Sequence, residues 1–232
     1  MEAVQKFTEV LLMDEMYVNA YFNRAKAFMG LEKFDDAAKD LDKTFLLDAD
    51  NHEAAYLKGK VFMNSEDYDG AIASFQTASN LDKTNENYPY YMGVAQFQKG
   101  EYAEAVKSFD EAISRKPDFA YAYNDRGSAK MQMEDYNGAI RDYQNAVKYD
   151  NYLAFAYNNL GSAYRAKEDW ANAEKNYTEA LKRDPKYYVA YNNRGTARYQ
   201  QGKYKEALSD FSKAIEINPN YAYAYNNKAS VY

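Results

Sequence analysis

The sequence predicts an all-α protein, a right-handed α-solenoid of stacked helix-turn-helix hairpins. Three observations lead there. The chain repeats itself every 34 residues without an insertion. Small residues recur on two fixed columns of the repeat, and larger apolar residues recur around them at helical rather than strand spacing.

The period is plainest where AYNDRGSAKMQMEDYNGAIRDYQNAV, AYNNLGSAYRAKEDWANAEKNYTEAL and AYNNRGTARYQQGKYKEALSDFSKAI are aligned. This sets Gly127, Gly161 and Gly195 on one column and Ala139, Ala173 and Ala207 on another. Carried outward, the same ruler reads 1–232 as one array. Residues 2–17 form a half repeat, a lone second helix, followed by full repeats 18–51, 52–85, 86–119, 120–153, 154–187 and 188–221; residues 222–232 are a lone first helix.

With the first residue of each repeat as position 1, position 8 reads Ala25, Gly59, Gly93, Gly127, Gly161, Gly195. Position 20 is alanine throughout, from Ala37 to Ala207, and position 17 is aromatic, from Phe34 to Tyr204. Position 24 takes Leu41, Phe75, Phe109, Tyr143, Tyr177, Phe211. Each repeat therefore reads as two amphipathic helices, A and B, whose apolar faces a 34-residue hairpin cannot bury alone, so neighbours stack. A buried tyrosine or phenylalanine contributes roughly 1.5–3 kcal/mol, and most of the 26 tyrosines read as core. Pro117, Pro185 and Pro219 close three repeats at position 32. In the third repeat Pro89 predicts a late start for helix A, with Tyr90 and Tyr91 near its exposed beginning.

These spaced positions resemble the tetratricopeptide repeat family over the whole length of the chain. The resemblance implies an interaction scaffold that holds other proteins and performs no chemistry itself. Members that bind chaperone tails clamp a terminal carboxylate with lysine, arginine and asparagine at positions 2, 5, 6 and 9. Here position 5 reads Phe22, Tyr56, Tyr90, Asn124, Asn158, Asn192, and no repeat has lysine or arginine at 2 or 6, so carboxylate-clamp chaperone binding is not expected.

Composition narrows the function further. Hydrophobic residues at 47% and charged residues at 28%, with no apolar run near 20, indicate a soluble folded chain without membrane insertion. A net charge of −6 argues against nucleic acid as ligand. No residue fixes a compartment; the expected setting is cytoplasmic. Without cysteine there is no disulfide or thiolate metal site. The single histidine, His52, reads as a solvated residue at a helix start, and the calcium-loop look of DADNHE fails at Glu53, where glycine is required. No phosphate loop, nucleophile elbow or metal-spaced histidine pair occurs, so neither an enzyme nor a cofactor or metal is expected.

Charge is uneven: residues 1–119 carry 13 Lys+Arg against 22 Asp+Glu, and residues 120–232 carry 16 against 13. This reads either as divergence within an array or as two segments suited to different partners. Neither half repeat has a distinct polar cap, which suggests an excerpt of a longer array or head-to-tail self-association.

The repeats also allow an internal comparison. Positions 7 and 23 read Arg24/Asp40, Lys58/Ser74, Met92/Ser108, Arg126/Asp142, Leu160/Asn176, Arg194/Asp210. Arginine stands only where aspartate does, which predicts A-to-B salt bridges in the first, fourth and sixth repeats.

At about 100° per residue, positions 4, 7, 8 and 11 of helix A share the packing face while 2, 6, 9 and 13 fall opposite and line the groove. From the fourth repeat on, position 2 reads Tyr121, Phe155, Val189, Tyr223; position 6 reads Asp125, Asn159, Asn193, Asn227; position 9 reads Ser128, Ser162, Thr196, Ser230. Two readings of the asparagines stand. One is shared ancestry, since Asn158, Asn192 and Asn226 recur equally at position 5. The other is a ladder whose amides hydrogen-bond the backbone of an extended peptide, which the family resemblance places on Asn159, Asn193 and Asn227. Candidate peptide-binding residues are therefore those three with Asp125, Tyr121, Phe155, Tyr223, Ser162 and Thr196. The expected function is a non-catalytic scaffold for an extended peptide or partner protein. A self-assembling array and the substrate-recruiting segment of a larger enzyme are the alternatives.

Overall fold

The computed structural model describes residues 1–231; Tyr232, the last residue of the half repeat 222–232, lies outside the described residues. Those residues form 14 α-helices and no strand. The all-α solenoid class holds, as hairpins of paired helices stacked on one another. The chain divides into two compact units, Met1–Lys116 and Pro117–Tyr232.

The N-terminal unit contains α1 (Glu2–Met13), α2 (Val18–Gly30), α3 (Phe34–Leu47), α4 (His52–Asn64), α5 (Tyr68–Leu81), α6 (Asn87–Lys99) and α7 (Tyr102–Arg115). The C-terminal unit contains α8 (Ala120–Gln132), α9 (Tyr136–Tyr149), α10 (Ala154–Ala166), α11 (Trp170–Arg183), α12 (Tyr188–Gln200), α13 (Tyr204–Ile217) and α14 (Ala222–Ala229). The B helices, α3, α5, α7, α9, α11 and α13, each begin at position 17 of their repeat, where the sequence places its aromatic column.

The turn from A to B is built the same way six times. Position 15 is left-handed in every repeat, with Glu32, Glu66, Glu134 and Glu168 at φ of 57–60° and Gly100 and Gly202 at 85° and 73°. The next amide then reaches back to the last turn of helix A, as in Lys33 N–H to the Phe28 carbonyl at 2.9 Å and Lys203 N–H to the Arg198 carbonyl at 2.9 Å. This is the Schellman closure. Glycine adopts the left-handed conformation without steric strain, whereas each glutamate carries a cost of about 1–2 kcal/mol there. Asp67, Asp135 and Asp169 at position 16 then cap the following helix by accepting the N–H three residues on.

Packing follows the two small columns. The position-20 alanines, including Ala71, Ala139, Ala173 and Ala207, are fully buried. At position 8 glycine is required by an aromatic neighbour at position 24: a Cβ on Gly161 would lie 2.7 Å from Tyr177 Cε1, and one on Gly59 2.5 Å from Phe75 Cε1. The first repeat solves the same contact with Ala25 and Leu41, both buried in one cluster.

Two expectations are corrected. Helix α6 starts one residue late, at Asn87, yet Tyr88 and Pro89 are buried and Tyr90 and Tyr91 half-buried. Tyr91 packs against Tyr56 and Phe75 with ring centroids 5.6 and 5.9 Å apart, so this helix start is an aromatic core rather than an exposed irregularity. His52 is not a solvated residue either: its Nδ1 lies 2.6 Å from the Tyr88 hydroxyl and its ring is 5.8 Å from the Tyr88 ring.

Candidate functional site

All three predicted arginine–aspartate pairs form, each bidentate. Arg24 donates to both oxygens of Asp40 at 2.7 Å, Arg126 to Asp142 at 2.9 and 2.5 Å, and Arg194 to Asp210 at 3.0 and 2.8 Å. The aspartate side chains are only 3–7% exposed, so these arginines tie helix A to helix B. A wider network surrounds Asp210: Arg198 bridges it to Glu174, which also accepts from Lys203 and Gln201. Burial alone would raise the Glu174 carboxyl, but the hydrogen bonds from Lys203, Arg198 and Gln201 outweigh it and hold the pKa at about 2.

The groove candidates all belong to the C-terminal unit. Tyr121 and Tyr223 are exposed, Phe155 is half-buried, and the Tyr121 and Phe155 rings touch with centroids 5.8 Å apart. Asn159, Asn193 and Asn227 are half-buried in successive repeats on α10, α12 and α14.

Their amides are tied to the preceding repeat. Asn159 Nδ2 donates to Asn124 Oδ1 at 3.0 Å, Asn193 to Asn158 at 3.0 Å, and Asn227 to Asn192 at 2.9 Å. The position-5 acceptors Asn124, Asn158 and Asn192 are only 4–6% exposed. The repeated Asn-Asn pair thus has a physical cause beyond ancestry: position 5 of one repeat and position 6 of the next form a clasp between neighbouring A helices. One amide N–H of each position-6 residue is engaged, while one N–H and the Oδ1 are left for the groove.

The sequence carried a signal for this clasp. Position 5 and the following position 6 agree in polarity in all but one pair, matching Phe22 with Leu57, Tyr56 with Tyr91 and asparagine with asparagine from Asn124 on, while Tyr90 faces Asp125 at the boundary between the two kinds.

The position-9 hydroxyls are engaged as well. Ser128 and Ser162 lie 3.1 and 3.2 Å from the hydroxyls of Tyr143 and Tyr177. Burial pushes the Tyr143 phenol up to about 12, partly offset by Ser128. Where position 24 is Phe211, Thr196 donates to the Asn192 carbonyl at 3.1 Å, a bond Ser128 also makes, to the Asn124 carbonyl at 3.2 Å. Asp125 accepts from Asn124 Nδ2 at 2.9 Å. Among the full repeats serine stands at position 9 only opposite a tyrosine, so Ser162 supports the core while Thr196 is tied to its own helix.

Among the described residues no group of three or more histidine, aspartate or glutamate side chains is placed to hold a metal, and no helix is long and apolar enough to cross a membrane. A stack of repeated hairpins with ordered amides and aromatic rings on its A helices defines a protein-interaction scaffold. Family comparison gives the particular family. Tetratricopeptide repeat models match residues 2–86, 120–152, 154–187 and 188–221, and a TPR repeat model matches 95–133. The chain belongs to the tetratricopeptide repeat family, whose members are generally non-catalytic.

No curated protein matches the chain. Among solved structures it is similar to MamA, at 25% identity and a TM-score of 0.66 over 74% of this chain and 93% of that one. It is also similar to the C-terminal part of a TPR repeat-containing protein from Cytophaga hutchinsonii, at 18% identity and a TM-score of 0.81, covering 97% and 93%. YrrB, described as a TPR protein with an unusual peptide-binding site, matches at 19% identity and a TM-score of 0.56 over 96% and 97%. The latter two show the fold alone.

Proposed function

We propose that the A-helix face of the C-terminal unit binds an extended peptide segment of a partner protein. The observation that supports this reading is the clasped row of Asn159, Asn193 and Asn227, one amide per repeat, each with one donor and one acceptor left over. An extended backbone offers alternating N–H and carbonyl groups that match such a row. Two hydrogen bonds per asparagine at about 0.5–1.5 kcal/mol each give roughly 3–9 kcal/mol before the cost of ordering the peptide. Micromolar affinity requires about 8 kcal/mol net. The clasp lowers the ordering cost on the protein side by fixing the amide rotamers, and Tyr121, Phe155 and Tyr223 add apolar contact.

The test is selection of phage-displayed random dodecapeptides on the intact chain, followed by affinities for two triple variants matched in helicity. Asn159, Asn193 and Asn227→Ala removes the presented amides, and peptides selected on the wild type are expected to bind it at least tenfold more weakly. Asn124, Asn158 and Asn192→Ala removes only the clasp and is expected to weaken binding less. Equal binding by the first variant would overturn the proposal.

A further inference from the structure

The second repeat departs from the others on the face of helix A that packs against helix B, opposite the groove positions. Position 4 is Tyr21, Tyr123, Tyr157 and Tyr191 in the first, fourth, fifth and sixth repeats and Pro89 in the third, but Ala55 here. In the first, fourth and sixth repeats that ring lies 5.2–5.6 Å from the position-7 guanidinium, which the position-23 aspartate holds. The second repeat lacks all three members, with a methyl for the ring, Lys58 for the arginine and Ser74 for the aspartate. Lys58 reaches back instead to Asp42 of the preceding repeat, at 2.5 Å. Position 22 is shortened as well, to Ala73 where Lys39, Lys107 and Arg141 stand elsewhere.

These small residues leave an open pocket of about 230 Å³ between α3, α4 and α5, all within the N-terminal unit. Its apolar side is Leu41, Ala54 and Ala55, which are buried, with the half-buried Phe45. Its polar side is Lys58, Ser74 and Thr77. Thr77 donates to the Ala73 carbonyl at 2.9 Å, which leaves its oxygen able to accept. Among the described residues the Ser74 hydroxyl has no hydrogen-bond partner. The corresponding surface of the sixth repeat is lined by Tyr191, Arg194, Asp210 and Lys213, a ring and charges in place of methyls and hydroxyls.

We infer that this pocket receives one aromatic ring, the side chain of a tyrosine on a partner protein, in the place of the tyrosine missing from position 4. The size fits, because an apolar cavity of roughly 150 Å³ accepts benzene and the further volume here takes the phenol oxygen and the Cβ. The chemistry fits as well. The ring packs on Leu41, Phe45 and the two alanines and lies against the Lys58 stem, as the sister rings lie against arginines. Its hydroxyl meets Ser74 and Thr77, so no polar group is stranded. A carboxylate is a poorer occupant, because Lys58 is already paired with Asp42. The inference does not rest on the amide row, which lies in the other unit and on the other face of helix A.

The test is an NMR titration of the full chain, labelled at its alanine methyls, with p-cresol and with the capped peptide Gly-Gly-Tyr-Gly-Gly. Both probes are expected to shift the methyl signals of Ala54, Ala55 and Ala73 saturably, and a peptide with alanine at its centre leaves them in place. Ala55→Tyr supplies the ring from the chain itself; it is expected to raise the melting temperature and to weaken both probes by about tenfold or more. Ala55→Leu fills the same space without an aromatic ring and is expected to weaken them likewise. The inference is overturned if the tyrosine peptide leaves the three methyls unshifted, if the alanine peptide shifts them as well, or if both folded variants bind as the wild type does. Binding of p-cresol without binding of the tyrosine peptide would also overturn it, by assigning the pocket to a free phenol.

Discussion

The two units share helix lengths, Schellman turns and the position-8, position-20 and position-24 packing columns, yet they differ in what their A helices present and in how their buried charges are wired. The C-terminal unit presents clasped asparagines, whereas the N-terminal unit presents lysines resting on aromatic rings. In the C-terminal unit each buried aspartate has two cations, Arg126 and Lys130 on Asp142 and Arg194 and Arg198 on Asp210. In the N-terminal unit Arg24 is the one cation on Asp40 among the described residues. Positions that must fit a neighbouring repeat are held by close packing. Positions that face outward are released from that demand, and specificity in a repeat protein resides there.

The wiring difference gives the largest expected effect. Arg24→Met strands a buried carboxylate and is expected to cost about 3 kcal/mol, against about 1 kcal/mol for Arg194→Met, where Arg198 stays on Asp210. Urea unfolding of the two variants measures the gap; equal losses would break the comparison.

Next is the column the units share. Gly161→Ala puts a methyl 2.7 Å from Tyr177 Cε1, and overpacking of this kind costs about 1–3 kcal/mol, less the helix preference of alanine. The Ala25–Leu41 arrangement of the first repeat predicts that Gly161→Ala with Tyr177→Leu costs less than the sum of the single changes. Additive losses in a double-mutant cycle would show that the glycine column does not answer to the aromatic one.

The smallest effect is a pH dependence belonging to the C-terminal unit. Glu174 titrates at about 2 in the folded chain, below its ordinary value of 4.5. The unfolded state therefore binds the proton first, so the stability from this group is complete above pH 4.5 and is lost as pH falls toward 2. Glu174→Gln should flatten the decline of stability across that window and lower stability near neutrality, where the carboxylate's contribution is complete. An unchanged acid limb would remove Glu174 from the network's energetics.

Much of this was legible because the chain is its own alignment. The period gave the helices, and arginine occurring only with aspartate gave three ion pairs that the structure forms at 2.5–3.0 Å. The Asn-Asn recurrence was visible, but its burial was not: a helical wheel assigns each side chain to a face of its own helix, and the clasp joins residues 35 apart on two helices. His52 was misread for the same reason, since its partner Tyr88 is 36 residues away.

The sequence by itself determined the repeat, the paired helices and the residues each repeat buries, because these depend on spacing within one hairpin. Only the tertiary structure decided which outward polar groups turn toward a neighbour. That depends on the rotation between successive A helices, which brings Asn193 within 3.0 Å of Asn158 and sets Lys60 beside the Tyr56 and Tyr91 rings. Spacing fixes the face of a helix; the stacking of one repeat on the next fixes what that face can still offer to a ligand.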